Sequence, residues 1–63
     1  MNSKDFYRVL LQDSGVNAHS YKTISQNILE NHTLSEYEKM QELQAMNEIF
    51  QQMSDEDQHT LLN

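Results

Sequence analysis

The residues whose spacing could bind a metal ion are Glu56 and His59, near the end of the sequence. On a helix this spacing places a carboxylate and an imidazole on one face, as in helical di-iron sites. Such sites need a second pair of this kind, and the sequence contains only this single pair. An acidic first helical turn accounts for the same residues, because negative charge is favourable near a helix N-terminus. We therefore predict no metal and no cofactor.

Histidine could also act as a general base, and His19 and His32 flank the second predicted helix. Neither has a nucleophile or an acidic partner at the spacing of a catalytic triad. The single glycine, Gly15, excludes a glycine-rich phosphate-binding loop. A chain of 63 residues also barely accommodates a rigid concave pocket. The sequence predicts no catalytic residues and a non-enzymatic protein.

The charge balance bears on possible partners. Ten acidic against four basic residues give a formal charge of −6, which repels the phosphate backbone of nucleic acids. Direct nucleic-acid binding is therefore disfavoured. The carboxylates could instead mimic DNA phosphates, or they could simply keep the protein soluble. The candidate carboxylates are Glu30, Glu36, Glu38, Glu42, Glu48, Asp55, Glu56 and Asp57.

Length and hydropathy predict a single soluble domain over residues 1–63. The longest aliphatic run, residues 9–11, is far shorter than the ~20 apolar residues of a membrane span. The absence of Cys fits a reducing compartment. We predict a cytoplasmic protein, in the bacterial host cytosol if phage-encoded, with no membrane contact. A chain this short buries only about 60% of its unfolded surface, so oligomerisation or a partner is a common means of stabilisation.

The pattern of apolar residues predicts an all-α fold, a small bundle of three to four helices with a long third helix. Helix one is expected from Ser3 to Asp13, with a stop at Gly15, and most of its circumference is apolar. Helix two is expected from Asn17 or Ser20 to Asn31, paired with helix one across a tight turn.

Helix three is predicted to open at a capping box, either Thr33 with Glu36 or Ser35 with Glu38. No breaker follows before Ser54, where a fourth helix is expected to begin and to carry two leucines to the end of the chain.

The apolar stripe of helix three turns through about half a circle midway, because its apolar residues first recur every three positions. The helix could be wrapped obliquely by its neighbours or broken near residues 40–44. We favour a third interpretation, in which the first half completes a three-helix core and the second half meets another chain. The predicted partner-binding residues are Leu43, Met46, Ile49, Phe50, Met53, Leu61 and Leu62.

Two segments resemble parts of small bacterial and phage-type repressors. Residues 20–25, Ser-Tyr-Lys-Thr-Ile-Ser, with Ile28 resemble the recognition helix of helix-turn-helix repressors, although Asp13, Ser14 and Asn17 depart from the small and apolar residues expected before it. Residues 43–62, with Ser-Asp-Glu-Asp-Gln before Leu-Leu, resemble the helical assembly tails of such repressors. The resemblance implies a phage or bacterial regulatory context.

These observations lead to one primary functional hypothesis and three alternatives. We expect a small regulator or inhibitor that binds a larger protein, such as a repressor, a nucleic-acid enzyme or a toxin, through a Met/Phe-rich helix face. The alternatives are an acidic DNA mimic, a helix-turn-helix-like DNA-binding regulator using Ser20, Lys22, Thr23 and Gln26, and a homodimer.

Overall fold

The computed structural model of the chain describes residues 2–62, with side chains up to residue 56. It contains α1 (Ser3–Ser14), α2 (Ala18–Leu29) and α3 (Glu36–Leu62), and no strand occurs in the described range. The predicted all-α bundle with a long third helix is confirmed. The separate fourth helix is not: α3 continues through Ser54, because neither Gly nor Pro interrupts the chain there.

The ends of the two short helices are set by local hydrogen bonds. The side chain of Asn2 caps α1 by accepting from the backbone N–H of Asp5 at 2.9 Å. Gly15 ends α1 at a φ of 100°, and its N–H donates to the carbonyl of Leu11 at 2.8 Å. A side chain at this position would also collide with Asn17, which caps α2. The predicted stop at Gly15 thus rests on both conformation and space.

Helix α3 opens at the second of the two predicted capping boxes. The N–H of Ser35 donates to the carboxylate of Glu38 at 2.9 Å, and the N–H of Glu38 donates to the Ser35 hydroxyl at 3.1 Å. The backbone hydrogen bond from Ser35 lowers the pKa of the Glu38 carboxyl, helped by the hydroxyl contact. Thr33 instead hydrogen bonds to the side chain of Asn31 in the preceding loop.

The two short helices pack on α3 in opposite directions. Along α1, Ser3 contacts Glu42 and Arg8 contacts Gln52, so α1 and α3 are parallel. Helix α2 runs the other way, since Tyr21 near its start donates to Asn47 whereas its end leads into the loop before α3. All three helices contribute to one buried core. Its members are Tyr7, Leu11, Ile24, Ile28, Met46, Ile49 and Met53.

The predicted division of α3 is wrong, and the structure reverses it. The second half of α3 completes the core, with Met46 fully buried, whereas Tyr37 and Met40 in the first half are 69% and 70% exposed. One inward stripe at spacings of three and four runs along the helix, and its early positions are the partly buried Lys39 and Glu42. The half-turn of the apolar residues in the sequence therefore marks the point along α3 at which its inward stripe changes from polar to apolar side chains.

Among the described residues, no helix is long and apolar enough to cross a membrane. Helix α3 has the necessary length, but charged and amide side chains are distributed along all of it. Its N-terminal turn carries Glu36 and Glu38. Both short helices pack against α3.

Candidate protein-binding groove

A groove of ≈ 460 Å³ opens between α1 and α2. It exists because the backbones of these two helices approach α3 closely but hardly approach each other. The sequence predicts that α1 and α2 pair directly across the tight turn. In the structure each of them packs mainly on α3, which holds the two together. The groove is lined by Phe6, Tyr7, Leu10, Ile24, Asn27, Ile28, Asn31, Leu34 and Glu42.

The α1 wall of the groove carries a half-exposed aromatic ring. Phe6 is 48% exposed and packs edge-on against Tyr7, with ring centroids 5.4 Å apart and an interplanar angle of 65°. Leu10, one turn along, is partly buried against the core. Aromatic residues on protein surfaces are frequent anchors in protein interfaces, because one ring removes a large apolar area from water on binding.

The α2 wall combines a buried apolar base with an exposed amide rim. Ile24 and Ile28 belong to the core and close the base of the groove, while Asn27 and Asn31 are exposed. The side-chain oxygen of Asn31 accepts from the N–H and the hydroxyl of Thr33, at 3.0 Å and 2.6 Å, and so orders the loop at this end. The groove is therefore apolar at its base and polar along one edge.

The charged group in the groove lining is the carboxylate of Glu42 on α3. One of its oxygens accepts from the Tyr7 hydroxyl at 2.7 Å and the other from the Ser3 hydroxyl at 2.9 Å. Burial raises the pKa of Tyr7 far above its ordinary value, and the hydrogen bond to Glu42 and its negative charge act in the same direction. These two contacts hold the carboxylate in place within the groove lining.

A second apolar surface lies on the outer side of α3, away from the core stripe. Tyr37 and Met40 are exposed there, and the amide of Gln41 donates to the Tyr37 hydroxyl at 3.1 Å. With Leu43 and Gln44 these residues line a shallow depression of ≈ 470 Å³. We call this the outer patch. It is built from one helix, whereas the groove has walls from two.

The residues predicted to bind a partner mostly lie inside the chain's own core. Met46, Ile49 and Met53 are buried, so they offer no free surface in this arrangement. Leu43 and Phe50 are partly buried, and the Phe50 ring packs edge-on against Tyr21 at 5.0 Å. The remaining two predicted residues, Leu61 and Leu62, have side chains outside the described residues.

The sequence did contain a signal for the groove. Residues 6–11 spread apolar side chains over about 200° of α1, more than a single neighbouring helix covers. Tyr7 and Leu11 are core residues, and Tyr7 also lines the groove together with Phe6 and Leu10. The signal was not assigned to a binding surface because every apolar face of a helix can also be explained by intramolecular packing.

The basic residues of α1 are engaged with α3. Lys4 pairs with Glu48 at 2.7 Å, and Arg8 donates to Gln52 at 3.0 Å and lies 3.9 Å from Glu56. No cluster of three or more potential metal ligands occurs among the described residues. The imidazole of the Glu56 and His59 pair lies outside them.

The comparisons with known proteins add no relative to this picture. No protein-family model matches the sequence, and no curated protein or solved structure matches it either. The similarity to repressor segments consequently depends on the short motifs in residues 20–28 and 43–62. On the described surface, the groove differs from the outer patch in having walls from two helices.

Proposed function

We propose that this chain is a small non-enzymatic regulator that binds a larger protein, and that the groove between α1 and α2 is its binding surface. The observation that carries the proposal is the half-exposed Phe6 above an apolar base formed by Ile24 and Ile28. An aromatic side chain at the edge of an apolar concave surface is a frequent anchor in helix-in-groove recognition between proteins. This location replaces the second half of α3 as the proposed contact.

The shape of the groove favours a helix of the partner over a small molecule. Its walls are two helices whose backbones hardly approach each other, so it is open to solvent and would leave part of a small ligand in water. Small-molecule sites usually enclose most of the ligand surface. A groove between two helices suits an amphipathic helix, whose apolar stripe fits between the walls.

The two nucleic-acid alternatives find less support in the arrangement of the side chains. A DNA mimic needs an array of outward-directed carboxylates, and one of the candidates, Glu42, is instead partly buried in contacts with α1. A recognition helix needs an exposed Ser20, but Ser20 is buried and donates to the carbonyl of Ser14 at 3.2 Å. These contacts favour protein binding as the primary function.

A pair of matched variants tests the proposal. Phe6 and Val9 lie on the same helix and are equally exposed, at 48% and 47%, but only Phe6 belongs to the groove lining. Phe6→Asp and Val9→Asp therefore introduce the same charge on the same helix. The tagged chain and both variants are used to capture proteins from the cells that produce it, with quantitative mass spectrometry.

The proposal expects one or more proteins that bind the unaltered chain and Val9→Asp equally but bind Phe6→Asp at least tenfold less. That factor corresponds to about 1.4 kcal/mol, a modest value for an aromatic anchor. Equal capture by all three chains, or loss with Val9→Asp alone, would contradict the proposed surface. Circular dichroism of both variants controls for folding.

A further inference from the structure

The groove has a chemical preference that follows from its lining. We infer that its occupant is a basic amphipathic helix of the partner protein, with a Lys or Arg placed on Glu42 and aliphatic side chains against Phe6, Leu10 and Ile28. This inference rests on the proposed function, because it names the kind of partner that the same groove accepts.

The carboxylate of Glu42 provides the charge that selects the partner. It is the one ionised side chain among the residues that line the groove, and it is partly buried. Hydrogen bonds from Ser3 and Tyr7 occupy one site on each oxygen, whereas an ionised carboxylate offers about four lone-pair sites. A cation can therefore be accepted without breaking either bond. Removal from bulk water strengthens such a charge pair relative to one on an open surface.

The dimensions of the groove indicate a short helix as the occupant. From Ile24 to Ile28 the helical part of the α2 wall extends about 6 Å at the helical rise of about 1.5 Å per residue, and the loop residue Asn31 lies beyond it. The groove can therefore contact a short stretch of a partner helix, whose apolar residues recur every three or four positions. The amides of Asn27 and Asn31 line the rim, where they can hydrogen bond to the polar face of such a helix.

Charge argues against a second copy of this chain as the occupant. Among the described residues, the large apolar side chains most exposed for contact with a second copy are Tyr37 and Met40 of the outer patch, and Glu36 and Glu38 lie beside Tyr37 in the same turn of α3. Docking that turn in the groove would bring these carboxylates towards Glu42. Like charges in an interface are unfavourable, and each copy carries a formal charge of −6. A basic partner has the complementary charge.

The test uses a designed peptide as the probe. A Leu/Lys peptide of about 14 residues, with leucines at helical spacing, forms an amphipathic basic helix of about four turns. Two control peptides have the same length: one with the same composition in scrambled order, and one with Glu replacing Lys. Binding to the full chain is measured by fluorescence anisotropy at physiological ionic strength, where diffuse charge attraction is screened.

Two pairs of variants locate the binding. Glu42→Gln and Glu30→Gln remove the same charge, inside the groove and on the exposed end of α2 respectively. Asn27→Lys and Gln26→Lys add the same charge at adjacent exposed positions of α2, of which only Asn27 lines the groove. The Lys pair leaves the core untouched, so it decides the question even if Glu42→Gln weakens folding.

The inference expects the ordered basic peptide to bind at least tenfold more tightly than either control peptide. Its affinity should fall about tenfold with Glu42→Gln and with Asn27→Lys, and less than about twofold with their matched controls. Equal binding of the scrambled peptide, equal losses within each pair, or a self-associating chain that excludes the peptide would overturn it. If Phe6-dependent capture succeeds but the peptide fails these criteria, the proposed function stands and the basic helix is wrong.

Discussion

The Tyr7 hydroxyl donates a 2.7 Å hydrogen bond to the Glu42 carboxylate, and this contact joins α1 to the first half of α3 beneath the groove. The side chains with which α3 packs on its neighbours are apolar from Leu43 to Met53. Glu42 precedes them as a polar member of the same inward stripe. The contact also explains why the groove lining includes a charged group. Both the stability of the α1 and α3 pair and the chemistry of the groove depend on it.

Removal of the hydroxyl in Tyr7→Phe should reduce the free energy of unfolding by about 1.5 to 3 kcal/mol, because hydrogen bonds to charged groups contribute more than neutral ones. Urea denaturation followed by circular dichroism measures this change. Tyr37→Phe is the control, since Tyr37 is exposed and its change should stay within about 0.5 kcal/mol. Equal losses in the two variants would show that the contact with Glu42 adds no stability.

The same contact predicts sensitivity to alkaline pH. The pKa of Tyr7 is raised in the folded chain above the ordinary value of 10.0, chiefly by burial. A group whose pKa is raised by folding contributes its full stability below the unfolded pKa, and loses it as pH rises towards the folded pKa. The free energy of unfolding should therefore fall as pH rises above about 10.

Urea titrations at several pH values above and below 10.0 check this prediction. Tyr7→Phe removes the titrating group, so its stability should decline less steeply over the same range. Parallel declines in the two proteins would assign the alkaline sensitivity to other groups.

The reversed division of α3 predicts a sharp difference between two methionines. Met46 is fully buried, so Met46→Ala should destabilise the chain by about 2 to 5 kcal/mol, enough to unfold much of a protein this small. Met40 is 70% exposed, and Met40→Ala should change stability by less than about 0.5 kcal/mol. Thermal unfolding of both variants measures the difference. A larger loss of stability in Met40→Ala than in Met46→Ala would contradict this arrangement and place the first half of α3 in the core.

Local features of the sequence predicted the helix ends well, because they depend on short-range chemistry. Gly15 provides a positive φ, and Ser35 with Glu38 forms a reciprocal cap, so both boundaries can be identified without knowledge of the fold. The prediction that a fourth helix starts at Ser54 was wrong because it depended on the same kind of short-range pattern. A Ser followed by an acid three residues later can cap a helix, but it can also lie inside one, as it does in α3.

The arrangement of α3 in the core could not be predicted from its own pattern. Its first half offers Tyr37 and Met40 on one side and Lys39 and Glu42 on another, and the apolar side was expected to be buried. Burial of Glu42 became favourable because α1 brings the hydroxyls of Ser3 and Tyr7 to it. The pairing of these two hydroxyls with Glu42 joins residues far apart in the chain, and neither helix sequence alone predicts it. The groove was not predicted either, since it exists only because α1 and α2 pack on α3 rather than on each other.

The most direct test of the binding groove is hydrogen exchange of the chain with and without a partner captured through Phe6, read by mass spectrometry. The account predicts added protection in residues 6–10 of α1 and 24–31 of α2, with exchange of residues 37–44 unchanged. Protection centred on residues 37–44, with both groove walls unchanged, would contradict it and place the contact on the outer patch.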